Sequence, residues 1–256
     1  MIKKLPTKLG KEPLIDAVFE IRFSTTTSLA LVIPGVLSVH LSGSKKFERL
    51  PASDLPQQIR DMNPDLNFLP SVKLTWDEKF AILVSEKSVA IGCLLPYLGW
   101  TSFLDAISNI LKIFKANIQE DNLGGVERYS IKYVDFLEGH TLKEQVSFVD
   151  ISLNIGKKVA ELSESSFQIR LEEKRERFIN ILQIISSANI NLQTGVKQGL
   201  VIDIDTINNT GNISFSDFYS SFRDFLCEMH QVNKESFFSC LTEHAVKSLE
   251  PEYDYE

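Results

Sequence analysis

The stretch that decides the fold is "EPLIDAVFEIRF", Glu12–Phe23. Ile15, Ala17, Phe19, Ile21 and Phe23 alternate with Asp16, Val18, Glu20 and Arg22. A period of two is the signature of a strand with one oily and one wet face. Pro13 stands just before the run, where its missing N–H does least harm to a ladder. The strand therefore carries a row of charge, and the rest of the chain decides whether that row lines a site or faces water.

Downstream, residues 28–42 are mostly apolar and predict a helix, with Pro34 in its first turns. Residues 43–70 hold four prolines and little periodicity, which predicts a long irregular segment with room for a short helix. "SVKLTW", "FAILVS" and "SVAIGCLL" follow, separated by "DEK" and "EK". Short strands joined by charged turns of two or three residues make an antiparallel meander. Phe103, Leu104, Ile107, Ile110, Leu111 and Phe114 then repeat at helical spacing over about 101–118, with Ser102 and Asp105 as the cap pair.

The second half opens on the turn cluster "EDNLGG". "VERYSIKYVDFLEG" alternates, with Tyr129, Ile131, Tyr133 and Leu137 on one face and Arg128 and Lys132 on the other. "VSFVDISLNI", "SFQIRLEE", "RFINILQIIS" and "GLVIDIDTI" are further strand candidates. A helix follows over about 214–241, striped with Phe215, Phe218, Tyr219, Phe222, Leu226 and Met229, and Thr242 caps a last short one. Strands come in runs rather than alternating with helices. That predicts an α+β fold of antiparallel sheets with amphipathic helices packed on one face. The order reads as two sheet-plus-helix halves, 1–122 and 123–256, either separate or as one continuous domain.

The 256-residue chain has ordinary apolar and charged content and a formal net charge of -7. An acidic balance argues against a broad nucleic-acid footprint, which needs basic surface to release counterions; a local patch at Lys3, Lys4, Lys8 and Lys11 is the remaining route. Cys93, Cys227 and Cys240 fit neither a zinc pattern nor a disulfide framework, so a reducing cytoplasm is the expected compartment. The basic N-terminus lacks the apolar core of a secretion signal. The longest apolar runs are too short to span a bilayer and carry prolines, so no membrane insertion is expected.

Three segments together resemble a sporadically distributed bacterial family of uncharacterised proteins. Its N-terminal signature is P-L-x-E-A-x-F-E-I-R-F. Here Pro13, Leu14, Ala17, Phe19, Glu20, Ile21, Arg22 and Phe23 match it, and Asp16 stands where glutamate is usual. "VERYSIKYVDFLEG" is similar to the family's central R-x-G-L-R-Y-I-N strand, with Lys132 in place of arginine and Asp135 in place of asparagine. His230, Phe237, Leu241, Thr242 and Glu243 match its C-terminal H…F-x-x-x-(I/L)-T-(D/E) ending. The resemblance implies a shared fold and no activity. The family's patchy occurrence associates it with mobile or defence-related gene neighbourhoods.

Residues two apart on a strand share a face. Glu20 with Arg22, Arg128 with Lys132, Arg170 with Glu172, and Asp203 with Asp205 would line one charged cavity if their faces converge. Antiparallel tunnels of that kind bind triphosphates, with bases on phosphate and carboxylates on a divalent metal. The ordinary alternative is a sheet with one wet face. "DID", Asp203–Asp205, offers two oxygen ligands but lacks further ones, and no metal or cofactor is expected. Glu172-x-Lys174 with Asp150 resembles a nuclease pattern, but Lys174 falls where a hairpin turn is expected. His40, His140, His230 and His244 are isolated, and His230 beside Met229 reads as a partly buried structural histidine. The aromatic stripe and "ESFFSCL" offer more apolar surface than one sheet covers, which points to a partner surface at Phe222, Phe237 and Phe238.

The expected function is a non-enzymatic protein-interaction or regulatory subunit of a bacterial defence or toxin–antitoxin system. Its partner would be encoded nearby or be a second copy, with no membrane role and nucleic acid disfavoured. The competing expectation is a metal-dependent phosphohydrolase or nucleotide-binding domain with Glu20, Arg22, Arg128, Lys132, Asp203 and Asp205 around one cavity.

Overall fold

The computed structural model describes residues 5–155, 158–159, 161–192 and 195–253. The period-two stretch is strand β2 (Leu14–Phe23), after the two-residue β1 (Lys8–Leu9). Helix α1 (Leu29–His40), strand β3 (Lys45–Arg49) and helix α2 (Gln57–Met62) come next. The meander is β4 (Val72–Trp76), β5 (Phe80–Val84) and β6 (Ser88–Cys93). Helices α3 (Trp100–Asn117) and α4 (Glu120–Leu123) lead into β7 (Val126–Glu138). Helix α5 (Leu142–Ser147) and the short β8 (Asn154–Ile155) and β9 (Lys158–Val159) precede the hairpin β10 (Gln168–Arg175) and β11 (Phe178–Leu192). The chain ends with β12 (Gly195–Ile213), α6 (Phe215–Cys240), α7 (Glu243–Ser248) and β13 (Pro251–Glu252).

Nine strands form one antiparallel sheet in the order β10-β11-β12-β7-β2-β6-β5-β4-β3. With its helices the fold is α+β. The chain divides into two compact units, one of 1–15, 132–206 and 230–256, the other of 16–131 and 207–229.

In the second of these units β2 buries Ala17, Phe19, Ile21 and Phe23 and leaves Val18, Glu20 and Arg22 half-exposed. The register carries that division across neighbouring strands: Phe19 opposes Ile91 and Glu20 opposes Ala90. Ile91 in turn opposes Ile82. Helix α1 packs on β4 and β5 and beside α3, burying Leu29, Ile33 and Leu37. On α3, Phe103, Ile107, Ile110, Leu111 and Phe114 are buried at helical spacing, as their sequence pattern predicts. Phe215 and Phe218 of α6 complete this core, Phe218 lying 5.1 Å from the Tyr129 ring. In the other unit Leu137, Ile184, Leu200, Ile202 and Ile204 of the strands pack with Phe237, Leu241, Ala245 and Leu249.

Pro34 lies in the second turn of α1. Three local expectations change. Helix α3 is not capped by Ser102; it starts after Gly99 without a side-chain cap, and Asp105 pairs with Arg223 at 2.9 Å. "VSFVDISLNI" is not one strand. Thr141 Oγ1 accepts from Glu144 N and the Glu144 carboxylate accepts from Thr141 N, and this capping box starts α5 instead. The irregular segment 43–70 holds edge strand β3, helix α2 and two 3-10 turns, Pro51–Asp54 and Pro64–Phe68.

Candidate functional site

The charged row of β2 closes on itself. Arg22 Nε and Nη2 donate to the two carboxylate oxygens of Glu20, each at 3.1 Å. The Arg22 guanidinium also lies 4.3 Å from the centroid of the Phe68 ring, which the second 3-10 turn delivers. A bidentate pair with an aromatic lid is a packed arrangement, since the fork and the flat cation are both satisfied. Arg128, in the same unit, is half-buried on β7.

Lys132, Asp203 and Asp205 belong to the other unit. Lys132 Nζ approaches Asp203 Oδ2 to 2.7 Å. Asp205 is two residues on, on the same face of β12 and half-buried. At the sheet edge Arg170 pairs with Glu172 and Arg175 with Glu173, each at 3.1 Å and largely exposed. Alternating charges on an edge strand discourage edge-to-edge pairing with another sheet. Among the described residues no three His, Cys, Asp or Glu side chains gather closely enough to hold a metal ion. Asp150 lies in the turn after α5, where its N–H donates to the Cys240 carbonyl at 2.8 Å. Lys174 is exposed on β10 opposite Ile179.

Of the three phenylalanines expected to meet a partner, Phe222 is buried against Phe218 and Tyr219, and Phe237 is buried in the core. Phe238 packs edge-on against Phe237, 5.1 Å between centroids, and lines a groove of about 860 Å³ with Leu5, Lys234, Val246 and Tyr253. A second groove of about 570 Å³ lies between α3 and α6, where Arg223 bridges Asp105 and Ser108.

Apart from His230, the polar groups that the sequence reading passed over are the buried ones. Asp135 shares a face of β7 with Tyr133 and Leu137 and is buried. Burial, and then the neighbouring Glu12 carboxylate, pushes its carboxyl well above the usual range. Burial, and then Asp135, pushes the Cys240 thiol up to about 12, so this sulfur is no nucleophile. Tyr133 Oη and His230 Nδ1 share a hydrogen bond of 3.2 Å. Burial and the nearby Lys234 depress the imidazole to about 4, so His230 is neutral at physiological pH. One turn along α6, Asn233 Nδ2 donates to Ile204 O and Thr206 Oγ1. Thr206 Oγ1 donates to Asn180 Oδ1, and Asn180 Nδ2 donates to Ser236 Oγ. A signal was there to read: Asp135 and Asn233 each put a polar residue where an apolar face was expected.

Of the N-terminal lysines proposed for nucleic acid, Lys3 and Lys4 lie outside the described residues, as does the tail from residue 254. Lys11 pairs with Glu250 at 2.9 Å and Lys8 approaches Glu252 to 3.8 Å. Among the described residues no helix is long and apolar enough to cross a membrane. No protein-family model matches the chain, and no curated protein matches it.

Proposed function

We propose that the chain is a non-enzymatic protein-interaction or regulatory subunit. It works with the product of a neighbouring gene, in a bacterial defence or toxin–antitoxin setting, or with a second copy of itself. The observation that carries this reading is α1. From Leu29 to Val39 the helix has no charged residue, yet Leu31 is 84% and Val39 75% exposed. A helix that is apolar all round is ordinarily buried on all sides. The self-paired charges of Glu20 with Arg22 and Lys132 with Asp203 support the same reading, because cations held by carboxylates are poor receptors for phosphate. The three-segment resemblance supports the genomic setting.

The test is co-expression with the neighbouring gene product, followed by purification and mass measurement in solution. A stoichiometric complex or a stable homo-oligomer is expected. A monodisperse monomer that retains no neighbour removes the reading.

One observation favours a second reading, a metal-dependent phosphohydrolase or nucleotide-binding domain. Asp203 Oδ1 is buried with no hydrogen-bond partner among the described residues, while Oδ2 holds Lys132. A thermal-shift screen with nucleotides and magnesium or manganese decides it. A ligand that binds the native state alone must raise the midpoint, so an unmoved midpoint at millimolar ligand eliminates this reading.

A further inference from the structure

Helix α2, "QQIRDM", is inside out. Its arginine is buried, Arg60 being 3% exposed, while Ile59 is 45% and Met62 85% exposed. Surface helices ordinarily bury the apolar residues and leave the cation in water. The cause lies beneath the helix. Arg60 Nη1 donates to Leu66 O at 2.8 Å and Nη2 to Ala52 O at 2.6 Å, and the Glu86 carboxylate stands 3.7 Å away. These contacts fix the rotation of α2. Ile59 and Met62, three apart on one helix face, are thereby held outward on a strap that backbone bonds pin at both ends. Leu50 N donates to Ser71 O and Lys87 N to Asn67 O.

The exposed charge that the strap itself carries has one sign. Residues 51–70 contain Asp54, Arg60, Asp61 and Asp65. The lone cation is the buried one, and Asp54 is matched by Arg49 at 2.6 Å. Asp61 and Asp65 remain exposed beside Ile59 and Met62. Complementarity then selects a basic partner and repels nucleic acid and anionic lipid. A methionine rimmed by polar groups is also a residue type that adapts to apolar anchors.

We propose that the outward face of α2, with Ile59 and Met62 at its centre and Asp61 and Asp65 at its rim, docks a basic protein segment carrying apolar anchors. The proposal rests on reading the chain as an interaction subunit and names its surface and its partner's chemistry.

The probe is a fluorescent designed helix with leucine and lysine at helical spacing; its control carries glutamate for every lysine. Anisotropy is read with the wild-type chain, with the charge-neutral pair Ile59→Ser and Met62→Ser, and with Asp61→Asn plus Asp65→Asn. The lysine peptide binds the wild type, at least tenfold more weakly the serine pair, and several-fold more weakly the asparagine pair; the glutamate peptide does not bind. Equal binding by wild type and serine pair, or no binding at all, overturns the proposal. So does a wild-type dimer that the serine pair dissociates, because the occupant is then a second copy. The serine pair is also carried through the co-purification with the neighbouring gene product. Loss of the complex from a normally folded variant supports the surface. A complex that persists refutes the surface and leaves the interaction reading standing, whereas absence of a complex with wild type refutes that reading first.

Discussion

Asn233 on α6 spends both protons of contact on β12: its Nδ2 lies 3.1 Å from Thr206 Oγ1 and 2.9 Å from the Ile204 carbonyl. All four side chains of this chain of bonds, Asn180, Thr206, Asn233 and Ser236, are buried. A buried polar network is valuable only while complete, since each group left unpaired keeps its desolvation cost. Asn233→Leu removes the donor from which the Thr206 hydroxyl oxygen and the Ile204 carbonyl accept, leaves Thr206 its bond to Asn180, and is expected to cost about 2–3 kcal/mol. Urea unfolding reads this as a lower midpoint with an unchanged slope. Thr206→Val in the same background should add less than it costs alone, because the two residues touch. Strict additivity would mean that the network does not act as a unit.

The parts of the fold legible in sequence were those whose information is local. Period two exposes β2 and the meander β4–β6, and helical spacing exposes α3 and α6. The pair Glu20 and Arg22, two apart on a strand, is visible on the same ground. Lys132 with Asp203 is not, because it requires β7 and β12 to be neighbours in the sheet, and strand order is non-local. Helix α2 has six residues and no periodic stripe, and its orientation is dictated by carbonyls at Ala52 and Leu66 and by Glu86. Nothing in "QQIRDM" says that its arginine points inward. Helix α5 was legible through Thr141 and Glu144 but was masked by the apolar run that follows it.

Asp135→Asn should flatten one limb of the stability curve. The Asp135 carboxyl is raised in the native state by burial and by Glu12, relative to about 3.9 unfolded. The native state therefore holds more protons than the unfolded state above pH 4, and stability falls as pH climbs through the raised value. An asparagine imitates the protonated acid and carries no such penalty. The thermal midpoint of wild type should decline relative to the variant as pH rises above about 4, with the gap closing near pH 4. Glu12, also raised by burial, contributes with the same sign, so Glu12→Gln should remove part of the decline. Parallel curves for wild type and Asp135→Asn would refute the assignment.

His230 acts on the opposite limb. Its imidazole is depressed to about 4 by burial and Lys234, against about 6.5 when unfolded. Between those values the unfolded state binds the extra proton, so stability present above pH 6.5 is lost as pH falls towards 4. The full shift corresponds to about 3 kcal/mol at most. His230→Phe keeps an aromatic ring near Tyr133 but removes the titration and the 3.2 Å hydrogen bond. Wild type should lose several degrees of midpoint between pH 7 and pH 4.5 that the variant does not lose. An equally steep loss in both proteins would place the acid sensitivity elsewhere.

Arg60→Met tests the anchor beneath α2. Methionine fills similar space without the guanidinium, so the Ala52 and Leu66 carbonyls lose their donors and Glu86 loses its cation. The damage should stay local, because the strap buries little apolar surface of its own, and segments of that kind open independently of the core. Limited proteolysis within 51–70 is expected to accelerate at least tenfold, and amide exchange over the same residues to rise. The global urea midpoint should shift by less than the equivalent of about 1–2 kcal/mol, since the strap opens without the core and most of the loss is confined to it. A strap as resistant as wild type would show that Leu50, Ser71, Asn67 and Lys87 hold it without help, and that the outward placement of Met62 does not depend on Arg60.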